Sequence, residues 1–351
     1  MVMKIGVMGA WNTDSGASIH AELIGREWVK AGHALKVFSF YEYSFHGTAF
    51  VDRDEDYVIR CFTTSNADPV VLDAVPFLTS DYEIFVVEDL GMLPQNHLGK
   101  IFHWIKKKAK TITVVHDGKL TSNPSFYQFP WDGIVGFDRR YISFLRQGYP
   151  EELIHCIPYP CHPFQRGDKD GAREKLNLPR DRKIIFMFGP ATVEGSETIS
   201  WIARLKSQYP ILLLVVTKNE EALRKVGRLS KKVPTQIRKQ TLTISQLYDY
   251  LHASDALIFN KESLGHVAIS STVFQCMGAG SPIIARDSNF LETLDDEVLK
   301  YRNEEEFRKC LKDVFDEKAE FKATIESARK YVEENSAEVI ARKFIELFES
   351  L

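Results

Sequence analysis

The stretch Phe259-Asn-Lys-Glu-Ser-Leu-Gly-His-Val-Ala-Ile-Ser-Ser-Thr-Val-Phe-Gln-Cys-Met-Gly-Ala-Gly-Ser-Pro-Ile-Ile284 contains the parts of one βαβ unit. An apolar run, 256–259, leads into it and predicts a buried strand. Ser270-Ser-Thr272 then precedes an apolar segment, as hydroxyl residues do at a helix N-terminus. Gly278-Ala-Gly280 predicts the end of that helix, and a second short strand follows.

The start of this helix is a candidate anion-binding site. Free backbone N–H groups and the helix dipole point outward at a helix N-terminus, and Ser270, Ser271 and Thr272 add hydroxyl donors. A strand, a polar loop, a helix and a second strand are also the parts of nucleotide-binding α/β domains. The stretch therefore predicts an α/β fold with a phosphate-sized site at residues 270–272.

The whole chain has the size and composition of a two-domain globular protein. Its 351 residues are enough for two cores, and a net charge of −3 gives no global indication of nucleic-acid binding. The five cysteines include no CxxC pair, which favours reduced thiols in a cytoplasmic protein. We recognise no signal peptide, and the apolar runs are too short to cross a bilayer.

The N-terminal half alternates strands and helices in the same way. Residues 4–8 predict a central strand, and a loop that ends at Gly16 follows it. Residues 17–30 have nearly helical spacing, and the next strand begins at Leu35. Gly16 is interpreted either as a tight turn alone or as a turn that also lets substrate approach the backbone.

A histidine follows a later strand of this half. Residues 111–115 predict a strand that carries His116 to its C-terminal end, where α/β sheets bind ligands. Hydrogen bonding within the fold is the alternative role for such a histidine. Residues 44–70 mix aromatic and charged side chains and predict irregular structure.

A proline-rich passage separates the two halves. Three prolines between positions 158 and 163 predict an inter-domain linker. We therefore expect an N-terminal domain over residues 1–160 and a C-terminal domain over residues 161–330. Residues 318–348 predict a terminal amphipathic helix, and residues 331–351 are expected to be a C-terminal helix beyond the second domain.

Several of these passages resemble the retaining GT-B glycosyltransferases related to family GT4. Ala279-Gly-Ser-Pro-Ile-Ile284 resembles the A-x-G-x-P-V-I ending of that family's donor-sugar site, and residues 244–255 resemble its l-x-x-l-Y-x-x-A-D helix. Gly16 and Ala31-Gly-His33 resemble the opening turn of the first domain and the break before the second strand. The resemblance implies an α/β GT-B architecture of two Rossmann-like domains facing a central cleft. It also implies that the C-terminal helix returns to the N-terminal domain.

The donor site differs from the family pattern at its charged positions. Gln275 stands where the second of two family glutamates belongs, and Glu262 is the acidic residue nearest to the position of the first. Pro190 and Glu194 stand where the family has an arginine and a lysine that neutralise the donor diphosphate. Replacement cations are therefore expected, and the candidates are Lys218, Lys261 and His266. Lys218 also fits a solvent-facing lysine equally well.

The resemblance implies a retaining glycosyltransferase that uses a nucleotide-diphosphate sugar. No metal cofactor is expected, since no Asp-x-Asp motif follows a strand. The catalytic candidates are His116 and Glu262. The donor-binding candidates are Gly16, Gly189, Lys218, Leu242, Thr243, Lys261, His266, Ser270, Ser271, Thr272 and Gln275. In this scheme the helix start holds the diphosphate, Gln275 reaches the ribose, and Leu242 and Thr243 hold the base through their main chain.

The acceptor is expected to be a sugar, a lipid-linked molecule or a small molecule. Lys106–Lys110 carries four lysines after Trp104 and predicts either a solvated helix face or a peripheral contact with an anionic membrane. A second function also fits the sequence. The altered charges at the donor site favour a non-catalytic GT-B-like binding or scaffold protein.

Overall fold

The computed structural model describes residues 2–44, 52–119, 121, 127–189, 192 and 194–351. The chain divides into two compact units: unit 1 comprises Met1–Pro160, Gly265–Ser271 and Asn335–Leu351, and unit 2 comprises Cys161–Leu264 and Thr272–Glu334. The first boundary lies within the proline-rich passage. Gly265–Ser271 belongs to unit 1, whereas the sequence placed it within the second domain.

Unit 1 is built on a parallel seven-stranded sheet with the order β3-β2-β1-β4-β5-β6-β7. Its strands are β1 (Lys4–Met8), β2 (Ala34–Phe40), β3 (Val58–Phe62), β4 (Ile84–Glu88), β5 (Lys110–Val114), β6 (Gly133–Gly136) and β7 (Ile154–Cys156). The central strands are apolar runs buried on both faces, as expected where helices cover a parallel sheet. Because β1 pairs with β2 on one side and β4 on the other, the order of strand addition reverses between β1 and β4.

The helices of unit 1 are α1 (Gly16–Lys30), α2 (Val75–Thr79), α3 (Gln95–Lys106), α4 (Arg139–Leu145) and α12 (Ala337–Ser350). Ser15 caps α1 by accepting the N–H of Ser18, and Ser336 caps α12 in the same way. The terminal helix packs on α1 within this unit. Nε1 of Trp28 donates to the carbonyl of Ala341 at 3.0 Å, in the buried interior.

Unit 2 is built on a parallel six-stranded sheet with the order β10-β9-β8-β11-β12-β13. Its strands are β8 (Lys183–Phe188), β9 (Ile211–Val216), β10 (Thr235–Arg238), β11 (Ala256–Phe259), β12 (Ile283–Arg286) and β13 (Leu299–Tyr301). The helices are α5 (Lys169–Lys175), α6 (Thr198–Ala203), α7 (Glu220–Leu229), α8 (Ile244–Ala253), α9 (Ser271–Met277), α10 (Glu304–Phe315) and α11 (Ala319–Glu334). The core of unit 2 contains strand residues such as Leu213 and Ile258 together with Phe307 and Leu311 of α10. The order reverses between β8 and β11.

The predicted helix after Ser270 is α9, which begins at Ser271. Gly280, just beyond its end, has φ +65°, a backbone conformation that glycine adopts without steric cost. None of the helices in the described ranges is long and apolar enough to span a membrane.

Three sequence-based assignments were wrong, and one region is only partly described. The terminal helix predicted over 318–348 is two helices, α11 and α12, because Ser336 caps the start of α12 and ends the first run. The region 44–70, predicted as irregular, contains strand β3, and the charged Arg60 obscures the apolar pattern of that strand. Residues 45–51 of this region lie outside the described residues. The composition of Thr241-Leu-Thr243 predicts a short strand, but these residues form a loop. The strand in this part of the chain is β10, which pairs only with β9 at the sheet edge and is mostly half-exposed. Residues 190, 191 and 193 of the predicted phosphate loop also lie outside the described residues.

Candidate functional site

The carboxyl ends of β1, β4 and β5 form the candidate site of unit 1. Open parallel sheets bind ligands where the strand order reverses, because the loops on the two sides separate there. In unit 1 that point lies between β1 and β4. Glu88 is the last residue of β4, and His116 follows β5 by two residues.

The loop between β1 and α1 is held by a buried carboxylate. Asn12 has φ 56° and donates its backbone N–H to Oε1 of Glu22 at 2.8 Å. The hydroxyl of Ser18 donates to the same oxygen at 2.6 Å, and Nη1 of Arg26 lies 3.2 Å from Oε2. Burial raises the pKa of Glu22, while Arg26 and the two hydrogen bonds oppose that rise. These bonds fix the turn that starts α1 at Gly16.

Three side chains meet at the strand ends of unit 1. Oε1 of Glu88 lies 3.0 Å from Nδ1 of His20, and Oε2 lies 2.7 Å from Nε2 of His116. The side chains of His20 and Glu88 are fully buried, and that of His116 is 11% exposed. His116 is therefore the member of this group that reaches the surface of the site.

The protonation of this group follows from its burial and its hydrogen bonds. Burial alone would raise the pKa of Glu88, but the adjoining His20 and His116 bring that pKa to about 2. Burial lowers the pKa of His20, against the attraction of Glu88. Glu88 is thus an ionised carboxylate whose two oxygens each accept one imidazole N–H.

Among the described residues, only His20, Glu88 and His116 form a group of potential metal ligands whose donor atoms all lie within 4.8 Å of one another. Both oxygens of Glu88 are already bonded to imidazole nitrogens. A metal ion held by all three would have to replace both hydrogen bonds. The contacts therefore describe a hydrogen-bonded group.

A cavity of about 520 Å³ adjoins the same strand ends. Its polar lining includes Asp89, Gln95, Asp117, Lys119 and Tyr149. Asp89 has φ 54°, an unfavourable backbone conformation for a residue other than glycine, and burial raises the pKa of its carboxyl group. Strained residues of this kind cluster at ligand sites.

The segment Gly265–Ser271 packs against the loop that follows β5. The N–H of Gly118 donates to the carbonyl of Val267 at 3.0 Å, and Nε2 of His266 lies 2.8 Å from Oδ1 of Asp117. A Cβ atom on Gly16 would lie 3.2 Å from Oγ of Ser271. Unit 1 therefore contains five of the predicted site residues, which are Gly16, His116, His266, Ser270 and Ser271.

Unit 2 presents a second group at the carboxyl ends of its own strands. Gly189 follows β8 with φ +67°, and the hydroxyl of Thr217 donates to its carbonyl at 3.2 Å. Asn260 follows β11 and donates from Nδ2 to the carbonyl of Glu194 at 2.8 Å, while the hydroxyl of Tyr301 donates to its Oδ1 at 2.5 Å. These bonds join the loops on the two sides of the reversal between β8 and β11.

The charged residues of this second group are partly paired. Glu262 is 73% exposed at its side chain and lies 3.2 Å from Nη1 of Arg286, which also contacts Glu197 at 2.9 Å. Nζ of Lys261 lies 5.1 Å from the ring centre of Phe290. Lys218 follows β9 and is exposed. Glu262 is thus the surface partner of an arginine that the sequence analysis did not include.

The remaining predicted residues of unit 2 are Leu242, Thr243, Thr272 and Gln275. Thr243 caps α8 in a capping box, in which its backbone N–H donates to Oε1 of Gln246 at 3.0 Å. Its carbonyl accepts the N–H of Leu247 at 2.9 Å. Both main-chain groups of Thr243 are therefore engaged in the helix cap, which opposes the predicted main-chain contact with a base.

His20 and Glu88 are site residues that the sequence analysis missed. Glu88 ends an otherwise apolar strand at the switch point, and that position in the sequence could have identified it. His20 lies on the buried face of α1 among apolar residues, and its spacing carries no functional signature. Arg286 likewise ends a buried strand, β12.

Comparison with known structures identifies the fold. A glycosyltransferase from Rickettsia africae and sucrose-phosphate synthase from Thermosynechococcus elongatus each match with TM-score 0.69 and 15% identity, over 99% of this chain and 98% of theirs. HepE from Anabaena, solved in complex with UDP and glucose, matches with TM-score 0.70 and 15% identity, over 99% of this chain and 100% of its own. The chain has the GT-B fold. No protein-family model matches the sequence.

The GT-B fold accounts for the two parallel sheets, each with its own point of strand reversal. It does not by itself identify a reaction, because one fold supports many activities. A function therefore has to be argued from the side chains at those two points.

Proposed function

We propose that this protein is a retaining glycosyltransferase that moves a sugar from a nucleotide-diphosphate sugar to a hydroxyl acceptor. The observation that carries the proposal is the match of the complete GT-B architecture to glycosyltransferase structures along the whole chain. HepE, which was solved with UDP and glucose, supports a nucleotide-sugar donor.

Residues of both units support the proposal. The side chain of His116 is 11% exposed at the switch point of unit 1, and its chain neighbours Val115 and Asp117 line a polar cavity. The two carboxyl groups of that cavity, on Asp89 and Asp117, can accept hydrogen bonds from sugar hydroxyls. Ser271 and Thr272 open α9, where backbone N–H groups and hydroxyls are suited to a diphosphate. Stabilisation of the departing diphosphate would be the main catalytic effect.

One further cation joins the candidates that the sequence analysis favoured, Lys218, Lys261 and His266. Arg286 ends β12, next to the strand that Lys261 follows, and charge-assisted hydrogen bonds to phosphate are the stronger kind. We add Arg286 to Lys218 and Lys261 as a candidate diphosphate ligand. Catalysis is proposed to need no divalent ion, so activity should persist in excess chelator.

A binding test addresses the proposal first. A panel of UDP-, GDP- and ADP-sugars should contain a ligand that raises the melting temperature of the protein, because a ligand of the native state stabilises it. The Ser271→Ala variant, which removes one hydroxyl at the start of α9, should show a smaller shift. If no sugar nucleotide at millimolar concentration changes the melting temperature, the proposed donor class is wrong.

The second candidate is a GT-B protein that binds without catalysis. Gln275 in place of a glutamate and the engagement of Glu262 by Arg286 favour it. Binding of a nucleotide sugar without release of nucleoside diphosphate, with any acceptor offered, would support this candidate.

A further inference from the structure

The feature that extends this proposal is the carboxylate of Glu88, which lies between two histidines. It accepts from His20 at 3.0 Å and from His116 at 2.7 Å, and its own side chain is fully buried. A buried charge requires donors on its oxygens, and here each oxygen has one. The three residues come from α1, β4 and the loop after β5, so one carboxylate connects three elements of unit 1.

These contacts fix the positions of the imidazole protons. An ionised carboxylate only accepts hydrogen bonds, so the ring nitrogen that faces it must carry a proton. That nitrogen is Nδ1 in His20 and Nε2 in His116. Nε2 of His20 is then a bare acceptor, and it is buried with no hydrogen-bond partner in the described part of the chain.

The surroundings hold both rings in these orientations. The ring of His20 lies 5.2 Å from that of Phe137 and 5.3 Å from that of Tyr159, measured between centroids. Phe137 also packs against His116 at 5.1 Å, and the hydroxyl of Tyr141 donates to the carbonyl of His116 at 2.8 Å. Backbone and ring of His116 are therefore both fixed before a ligand binds, as a binding group requires.

We propose that Glu88 and His20 are positioning residues that hold His116 with its Nε2–H turned toward the core and its Nδ1 presented to a ligand hydroxyl. A neutral imidazole that donates through Nε2 can only accept at Nδ1, so its ligand partner must be a hydrogen-bond donor, and on a sugar that donor is a hydroxyl. This inference rests on the proposed function for one point, namely that the hydroxyl belongs to a sugar. The proton positions themselves do not depend on it.

Long-range ¹H–¹⁵N NMR of the ¹⁵N-histidine-labelled full chain tests the inference without any ligand. At about pH 8, above the ordinary histidine range, His116 should be the Nε2–H tautomer and His20 the Nδ1–H tautomer. His116→Asn and His20→Phe variants assign the two signals by their loss. An Nδ1–H tautomer at His116, or stoichiometric metal in the purified protein, would overturn the inference.

The variant Glu88→Gln tests the role of the carboxylate. Its amide has one acceptor oxygen for two imidazoles, so the ¹⁵N shifts of His116 should move toward a mixture of tautomers. The matched control is Asp255→Asn in unit 2, another buried carboxylate, which is held by Lys169 at 2.6 Å and Arg173 at 2.8 Å. The control should be destabilised while the His116 shifts stay unchanged. Unchanged His116 shifts in folded Glu88→Gln would overturn the role of Glu88.

Kinetics with the sugar nucleotide found by the binding panel separates positioning from a general loss of structure. His116→Asn and Glu88→Gln should each lower kcat, by about tenfold or more, and the double variant should be no slower than His116→Asn alone. If the losses in kcat of the two single variants multiply in the double variant, Glu88 does not act through His116. Failure of the transfer reaction itself would leave the predicted tautomers in place, so the two failures are distinguishable. If Glu88→Gln does not fold, the wild-type spectrum still decides the proton positions.

Discussion

Gly16 lies so close to Ser271 that a methyl group on Gly16 would stand 3.2 Å from the serine Oγ. The two residues are 255 positions apart in the sequence and both belong to unit 1. Gly16 opens α1, so the Ser271 hydroxyl lies beside the first turn of that helix. The backbone of this turn is also held by the hydroxyl of Tyr159, which donates to the carbonyl of Gly16 at 2.8 Å.

This contact predicts the effect of Gly16→Ala. The added methyl group should displace the Ser271 hydroxyl by a few tenths of an ångström and weaken nucleotide-sugar binding by about tenfold, or about 1.4 kcal/mol. Stability should change little, because an alanine in a helix contributes about 0.5–1 kcal/mol that offsets the crowding. Isothermal titration and thermal unfolding measure the two effects.

Gly99→Ala is the control, since a methyl group on Gly99 of α3 would meet nothing within 4 Å. It should raise the melting temperature and leave binding unchanged. If Gly16→Ala and wild type bind the nucleotide sugar with equal affinity, the Gly16–Ser271 contact is not part of the donor site.

The pairing of Gly118 with Val267 predicts a larger stability effect. A Cβ atom on Gly118 would lie 2.6 Å from Cβ and 2.9 Å from the carbonyl oxygen of Val267, so Gly118→Ala must push two backbone segments apart. We expect a loss of about 1–3 kcal/mol in the free energy of unfolding. Gly265→Ala is the control, because nothing lies within 4 Å of its position. Equal chemical-denaturation midpoints for Gly118→Ala and Gly265→Ala would argue against this packing.

Asp89 provides a prediction about pH. Burial raises its pKa in the folded protein, so the ionised carboxyl costs stability at pH 7 and the cost disappears as the pH falls toward the ordinary aspartate value of about 3.9. Asp89→Asn should therefore be more stable than wild type at pH 7, by on the order of 1 kcal/mol, and nearly equal to it near pH 4. Urea unfolding of both proteins at the two pH values measures this. The exposed Asp295 provides the control Asp295→Asn, for which no such pH-dependent gain is expected. If the stability gain of Asp89→Asn over wild type instead grew as the pH falls, the raised pKa of Asp89 would be refuted.

The candidate cations of the donor site can be ranked. Lys218→Ala and Lys261→Ala should each weaken nucleotide-sugar binding by about tenfold if each loses one charge-assisted bond to phosphate. His266→Ala should weaken it less, because Asp117 already holds His266 at 2.8 Å. Lys330→Ala, at a lysine with a 76% exposed side chain, is the control. Unchanged affinity in the Lys218, Lys261 and His266 variants would mean that backbone groups, hydroxyls and Arg286 bind the diphosphate.

The parts of the fold that could be predicted from the sequence are the buried parallel strands and the capped helices. The apolar runs at β8, β9 and β11 and the hydroxyls before α9 follow patterns that local sequence determines. Edge strands did not follow such patterns. β10 is half-exposed and pairs with β9, so it shows no buried apolar run, whereas the composition of residues 241–243, which form a loop, predicts a strand.

The sequence analysis proposed glycines and hydroxyls for the candidate site but did not include the buried residues that contact His116. His116 was identified from its place after a strand, but its partners come from residues 20 and 88, and their proximity depends on the strand order. Similarly, the sequence gives no reason for Gly265–Ser271 to pack in unit 1 while the residues on both sides of it belong to unit 2. Such contacts between distant segments follow from topology and are not encoded in local periodicity.

The most direct test of the proposed glycosyl transfer is the release of nucleoside diphosphate from the sugar nucleotide that the protein binds. Wild-type protein should release it faster with a mixed pool of hydroxyl acceptors than without one. His116→Asn, still folded and still binding the nucleotide, should lose most of that rate. The product should keep the anomeric configuration of the donor. Tight binding with no release above the protein-free rate, at any acceptor concentration, would contradict glycosyl transfer by this protein.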